Sequence, residues 1–262
     1  MSIWRQKSIW QLVNDDGSLV KGWVKIGDFW YYLDNTGTMY QSQWYQDQNG
    51  KWYYLDDNGH MMTGWQVIAE KNYCFAIDGT LYTNCATPDG YLVDSNGVWI
   101  KEGLSEKGAN FLESWEGYSS KWEDVGDGYW TIGIGTATSG TLGKQLYDSG
   151  ITECTKEQAC KWAEQESISC YNLIKPKLDS ANIILNQNQI DALISLSYNI
   201  GATSLLSSTL FRNILGGVTD AATIRSNFMV WNKVNGRPWD GLTRRRSSEA
   251  DLYLNGDYTG NI

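Results

Sequence analysis

Residues 115–135 read WEGYSSKWEDVGDGYWTIGIG. The stretch opens on a carboxylate beside a glycine, Glu116-Gly117, and continues through Glu123, Asp124 and Asp127. It closes on Thr131-Ile132-Gly133-Ile134-Gly135, an alternation that predicts a short strand. Such a segment offers several carboxylates on a turn, a hydroxyl close by, and glycines that let a polymer approach the backbone. Glycoside hydrolysis needs this set, with one carboxyl kept protonated and another ionised on opposite sides of a sugar. A solvated acidic hairpin would have the same residue types, so the elements around the stretch must decide between the two.

Those elements are helical. Ser105 predicts an N-cap, and Ala109, Phe111, Leu112 and Trp115 give one apolar face, with Gly117 as the helix stop. Glu116 then sits in the last turn, where the negative end of the helix dipole and burial beside Trp115 favour a neutral carboxyl. Residues 118–139 read as turns and short strands. Thr155-Lys156-Glu157-Gln158 is a capping box that opens a long helix, with Ala159, Trp162 and Ala163 inward and a break expected near Pro176. A core helix starts at Asn186, carries Ile190, Leu193, Ile194 and Leu196 on its apolar face, and ends at Gly201. Thr203 and Thr219 open further helices, and Asp240 is expected to cap the last, which runs to Asn255-Gly256.

The first hundred residues differ. Trp23, Trp44 and Trp65 recur every 21 residues, and each is followed seven or eight residues later by a second aromatic, Trp30, Trp52 or Tyr73. Turn signals come next: Asp34 to Gly37, Asp56 to Gly59, and Asp78-Gly79. A worn copy precedes these units, with Trp4 and Trp10, and another follows at 85–100. Each unit reads as two short strands around a Gly-containing turn. One hairpin buries no core alone, so the units are expected to stack into a solenoid. Aromatics at the seams make boxes that attract a quaternary ammonium, or else only pack hairpin on hairpin.

Composition removes other chemistries. The chain of 262 residues carries a net charge of −9, and both halves are acidic: six basic against eleven acidic residues in 1–100, fifteen against nineteen in 101–262. Nucleic acid is a poor partner for such a surface. The one histidine, His60, lies among the repeats as a turn residue, which argues against a zinc site and against a His-dependent nucleophile. No metal or cofactor is implied. The five cysteines form no C-x-x-C pair and are expected to be reduced and mostly buried, with Cys154 and Cys160, six apart beside a helix start, a pair that could bridge. The first residues lack an apolar h-region, so no secretory signal is expected. If the protein acts outside a cell, something else must release it.

Two resemblances sharpen the picture. GWVK-x-G-x-x-WYYLD-x-x-G-x-M at 22–39 and WYYLDDNGHMMTGW at 52–65 resemble the choline-binding repeats of Gram-positive bacteria and their phages. That resemblance implies a β-solenoid that holds choline on wall teichoic acids. Its cages would use Trp23, Trp30, Trp44, Trp52 and Trp65, with Tyr54 as a further candidate, each closed by an aromatic of the next repeat. The repeats at 64–84 and 85–100 depart from the pattern. Choline-linked dimers through the terminal hairpins would be in keeping with such repeats.

The stretch 105–258 is similar to the phage-type lysozymes, glycoside hydrolase family 24. The matching segments are Glu116-Gly117, YWTIGIG at 129–135, DALISLSYNIG at 191–201 and GLTRRRSSEADLYLNGDY at 241–258. The resemblance implies cleavage of the β-1,4 bond between N-acetylmuramic acid and N-acetylglucosamine of peptidoglycan. Glu116 would be the general acid, Thr131 would hold the attacking water, and Arg245 would orient Glu116. Arg244 and Arg246 read as the basic face of the last helix. The family's aspartate column falls on Val125, one position after Asp124. Asp124 is therefore read as the base, with Asp127 and Glu123 as substitutes. The expected architecture is multidomain: a β-hairpin solenoid over 1–100, a linker at 101–104, and an α+β, mostly helical domain over 105–262. A lytic transglycosylase and a non-catalytic choline-binding wall protein are the alternatives.

Overall fold

The computed structural model describes residues 3–6, 9–124, 126 and 128–261, and it divides into two compact units, Met1–Ile100 and Lys101–Ile262. Val125 and Asp127 lie outside the described residues.

The first unit is a series of antiparallel hairpins: β1 (Ile3–Gln6) with β2 (Trp10–Val13), β3 (Gly22–Ile26) with β4 (Phe29–Leu33), β5 (Gln43–Gln46) with β6 (Trp52–Leu55), β7 (Gly64–Ile68) with β8 (Lys71–Phe75), and β9 (Cys85–Ala86) with β10 (Leu92–Val93). The Asp-x-x-Gly signals do not form the hairpin turns. They follow each second strand and fold the chain back, so that Leu33 bridges Met39, Leu55 bridges Met61, Phe75 bridges Leu81 and Val93 bridges Trp99. The aspartate makes the turn by accepting backbone N–H groups ahead of it: Asp56 Oδ1 accepts from Asn58 and His60, and Asp94 Oδ1 from Asn96 and Val98. The expected glycine in the hairpin turn is missing between β7 and β8. That two-residue loop needs positive φ at both positions, and Ala69 and Glu70 adopt it at φ 48 and 62.

Consecutive repeats are stitched by one recurring backbone bond. Met39 N donates to the Trp10 carbonyl, Met61 N to Trp30, Leu81 N to Trp52 and Trp99 N to Asn72, all at 2.8–2.9 Å. Packing reinforces it. At Gly79 (φ 81) an added Cβ would lie 2.3 Å from Sδ of Met61 in the preceding repeat, so both backbone angle and space demand glycine. Leu33, Leu55, Phe75 and Val93, one per unit, are almost fully buried.

The second unit is mostly helical. It comprises α1 (Glu106–Glu116), a three-stranded sheet of β11 (Ser119–Asp124), β12 (Trp130–Gly133) and β13 (Thr136–Ala137), then α2 (Thr141–Asp148), α3 (Lys156–Ser180), α4 (Gln187–Ile200), α5 (Ala202–Ser207), α6 (Thr209–Leu215) and α7 (Ala221–Met229). A small hairpin, β14 (Lys233–Val234) with β15 (Arg237–Pro238), precedes α8 (Asp240–Asn255). α4 is the central helix. Leu193, Ile194 and Leu196 are fully buried, each contributing about 1.5–3 kcal/mol by leaving water, and α4 packs on α8, α1, α3 and α5.

Several local expectations need correction. α3 does not break at Pro176. Its buried face runs on to Leu178, and a proline so near the C-terminal end removes only one helical hydrogen bond, which that packing outweighs. α2 was not read from the sequence. Asp240 is the first residue of α8, and the N-cap is Trp239, which makes no side-chain cap bond. α5 opens after Gly201 and α7 after Asp220, whose carboxylate accepts from Thr223 N. The five cysteines are unpaired: Cys74, Cys154 and Cys170 are buried, and Cys160 is exposed. Residues 101–104 pack on the helical unit, with Lys101 N donating to Gln187 and Leu104 3% exposed.

α1 is seated by a buried acid. Asp191 on α4 accepts from the Ser105 backbone and hydroxyl, from Gln187 Nε2 and from the Tyr258 hydroxyl. Burial raises its pKa and these donors oppose the rise. Gly108 lets α1 approach it, since an added Cβ would lie 2.5 Å from Asp191 Cγ. Gly108→Ala is expected to destabilise the unit by about 1–3 kcal/mol through overpacking, although alanine gains about 1 kcal/mol in helix propensity. Urea unfolding followed by far-UV circular dichroism checks this. A stabilised variant would show that the approach is not tight.

Candidate functional site

The geometry gathers on Glu116, the last residue of α1. Gly117 ends the helix with φ 73, and its N–H bonds back to Glu113. The Glu116 side chain is 18% exposed, and its Oε1 accepts from Arg245 Nη2 at 2.6 Å. Its Oε2 lies against the backbone at Gly135, where an added Cβ would stand 2.9 Å away. The carboxyl is thus held between α8 and the turn after β12, with one oxygen on a guanidinium and the other beside a bare Cα.

Arg245 is itself buried, at 6% exposure. Its Nε donates to Glu249 Oε1 at 3.0 Å, and Nη2 also reaches the Ser195 carbonyl at 3.3 Å. Burial opposes its charge, but Glu116 and Glu249 more than offset that, so its pKa lies above the usual arginine value. Glu249 is fully buried; its Oε1 also accepts from Arg246 Nη2 at 3.0 Å and from the Ser195 hydroxyl at 2.8 Å, and Arg246 Nε stands 2.9 Å from Oε2 as an ion pair. The reading of Arg246 as part of a basic outer face is therefore wrong: it is 0% exposed, and only Arg244 stays outside. Burial of both charges is tolerable because they pair with each other. Sequence reasoning missed Glu249, although its i, i+3 and i, i+4 spacing from Arg246 and Arg245 was a signal for an internal ion network.

Two of the candidate second carboxylates, Glu123 and Asp124, lie on β11. In the β11–β12 register Thr131 stands opposite Glu123, and Trp130 opposite Asp124. Directly paired residues share a face, so Thr131 and Glu123 lie on one side and Asp124 on the other. Glu123 Oε1 accepts from Ser119 at 2.8 Å, and Asp124 Oδ1 accepts the Gly126 N–H at 2.8 Å. Both are exposed, and Thr131 also pairs with Ala137 on β13.

Gly135, which abuts Glu116, lines a cavity of about 410 Å³ with Ala137, Glu166, Tyr198 and Gly201 among others; Glu116 itself is not part of that lining. Glu166 was not foreseen. It sits on the inward face of α3, at the i, i+4, i+7, i+11 positions Ala159, Ala163, Glu166 and Cys170, a spacing the sequence carries.

In the repeat unit, Trp44, Trp52 and Tyr73 line a cavity of about 220 Å³ with Leu81. Trp44 stands 4.9 Å from Tyr73 and 6.3 Å from Trp52, edge to face in both cases. Tyr54 packs on Trp44 at 5.1 Å but does not line that cavity. Trp23 meets Tyr32, Tyr45 and Tyr53 at 5.0–5.7 Å, while Trp30 is 41% exposed. Trp65 lines a further cavity with Asn72, Asp89, Tyr91 and Trp99, and its Nε1 donates to Asp89 at 2.8 Å. His60 stacks on Phe29 at 3.9 Å.

The phage lysozyme family matches residues 113–249, a choline-binding repeat matches 45–85, and a cell wall binding repeat matches 21–39. The endolysin of Acyrthosiphon pisum secondary endosymbiont phage 1 is 32% identical over 154 residues, which cover 57% of this chain and 97% of that protein. The endolysin of Bacillus phage B103 is 33% identical over 156 residues, covering 59% of this chain and 55% of the relative. Choline binding protein F from Streptococcus pneumoniae is 39% identical over 37% of this chain and 33% of its own, with a TM-score of 0.35. The chain belongs to the phage lysozyme family, with choline-binding repeats ahead of the lysozyme domain.

Proposed function

We propose that this chain is an endolysin: a peptidoglycan hydrolase that the repeats anchor to choline on wall teichoic acids, acting on the wall after release. The bond cut is the β-1,4 linkage between N-acetylmuramic acid and N-acetylglucosamine. Glu116 carries the reading. It is a carboxyl at a helix end, oriented by Arg245 at 2.6 Å and backed by Gly135 beside an open cavity. Glu116 protonates the glycosidic oxygen as the bond breaks. Asp124 takes a proton from a water that attacks the far face of the sugar; where Glu123 is the base instead, Thr131 holds that water from the same face of the hairpin. Such an inverting route requires the two carboxyls to stand about 6.5–9.5 Å apart. The strand register favours a second assignment of the base, to Glu123, which shares a face with Thr131.

Choline binding rests on the Trp44–Trp52–Tyr73 cage, whose ring faces suit a quaternary ammonium, and the Trp65–Tyr91–Trp99 group supports a second cage. Tethering raises the local concentration of glycan without altering the chemistry, and it counters the repulsion between an acidic protein and an anionic wall. Choline-linked dimers are part of the same proposal.

Mass spectrometry of fragments released from choline-containing walls tests the reading. Hydrated muramic acid reducing ends are expected, lost in Asp124→Asn and retained in Glu123→Gln. The reverse pattern moves the base to Glu123. Anhydro ends would convert the enzyme to a transglycosylase. Bound walls with no fragments would leave a binding protein.

A further inference from the structure

Glu166 occupies a position that packing alone does not explain. It is flanked on α3 by Ala159, Ala163 and Cys170, all buried, yet it carries a carboxyl. Its Oε2 accepts from the Tyr198 hydroxyl on α4 and from the Thr136 hydroxyl on β13, the latter at 3.2 Å. Both donors go to the same oxygen. Among the described residues, Oε1 has no protein donor and no cation lies within ion-pair distance of the carboxyl. Glu166 also lines the 410 Å³ cavity, together with Gly135, the residue that abuts Glu116. Oε1 lies toward Gly140, another residue of the cavity lining, where an added Cβ would stand 3.6 Å from it, so a neutral carboxyl here keeps its carbonyl inward on the two donors and turns its hydroxyl to the cavity.

We propose that Glu166 is a glycan-binding residue that works as a neutral carboxylic acid, its Oε1 hydroxyl donating a hydrogen bond to the carbonyl oxygen of a substrate N-acetyl group. This rests on the peptidoglycan reading and names the part of the substrate that the cavity recognises. An ionised Glu166 could not donate, and it would stand beside Glu116 with no cation of its own. The surrounding groups fit this state. Glu116 faces it from α1, Tyr198 from α4 and Cys170 from α3 itself. β13 offers Thr136, α5 offers no titratable group, and Lys144, Tyr147 and Asp148 of α2 are exposed. Burial raises the Glu166 pKa, the Tyr198 and Thr136 bonds work against that, and Glu116 adds to the rise. Tyr198 is pushed well above its ordinary value by burial and by Glu166, so it remains a donor.

The sign follows. As pH rises through the elevated Glu166 pKa, the donor becomes an acceptor and substrate binding weakens. Steady-state kinetics of the full chain on a soluble N-acetylated peptidoglycan oligosaccharide should show KM rising with pH. Glu166→Leu should raise KM about tenfold at the acid end, the size of one hydrogen bond lost to a neutral group, with a smaller change in kcat. Glu166→Gln keeps an N–H donor that does not titrate, so its KM should be flat where the parent's climbs. A KM for Glu166→Leu equal to the parent's, with unfolding unchanged, overturns the proposal. So does a Glu166→Gln profile that still climbs with pH, a result that stands even if the leucine variant fails to fold. Absence of cleavage by the parent chain would instead sink the glycosidase reading itself.

Discussion

Glu116→Gln should lower kcat on cell walls by about 10²–10⁴-fold, the usual share of a positioned general acid, while leaving wall binding intact. Glutamine keeps the shape of the side chain and can still meet Arg245, so the local fold is preserved. What it lacks is a proton of carboxylic acidity to give to the leaving oxygen. The loss should appear in kcat and kcat/KM together, because the interaction removed is made in the transition state. Choline elution from a choline-like matrix should be unchanged, since the cages lie in the other unit. Turbidity clearing and co-sedimentation with walls measure the two quantities side by side. A glutamine variant that still clears walls at more than a tenth of the parent rate would remove Glu116 from the reaction.

The second large effect is on stability. Glu249→Ala should destabilise the helical unit by about 3–5 kcal/mol, the cost of leaving buried charge without its partner. Arg245 and Arg246 both point at Glu249 and both are buried. With the carboxylate gone, Arg246 has no ion-pair partner among the described residues, and Arg245 keeps Glu116. Replacing the pair together, as in Arg246→Met with Glu249→Leu, should recover much of the stability, because apolar groups of similar volume need no compensation. Activity should stay low in the double variant, since Arg245 would then lack the carboxylate that fixes its Nε. Denaturant unfolding and wall lysis separate these outcomes. A Glu249→Ala protein within about 1 kcal/mol of the parent would show that the network is not truly desolvated.

Much of this arrangement was legible because it repeats or because it caps. The 21-residue spacing of Trp23, Trp44 and Trp65 gave the hairpins, and Ser105, Thr155 and Asn186 gave three helix starts that the structure keeps. Glu116 was legible as an acid at a helix end. Other features depended on partners distant in sequence. Glu249 reads as one more charge on a charged helix until Ser195 and Arg245 are brought to it. Glu166 lies one turn beyond Ala163, and only the fold shows Tyr198 and Thr136 waiting there. Trp99 lies in the 85–100 repeat that departs from the pattern, so the tryptophan spacing does not single it out. It occupies the position that Met61 and Leu81 hold in earlier repeats, where an apolar filler has become a ring.

The bond from each post-turn residue to the carbonyl of the preceding repeat makes the proposed choline cage a property of a junction, not of a hairpin. Trp44 and Trp52 belong to one unit, and Tyr73 and Leu81 to the next. A chain that gains one 21-residue copy by duplication therefore gains one complete site at once, wherever the copy lands. A chain that loses the repeat after a cage loses a site whose tryptophans it still possesses, whereas loss of the repeat before it removes the tryptophans themselves. The number of such cages follows the junctions between units rather than the number of hairpins.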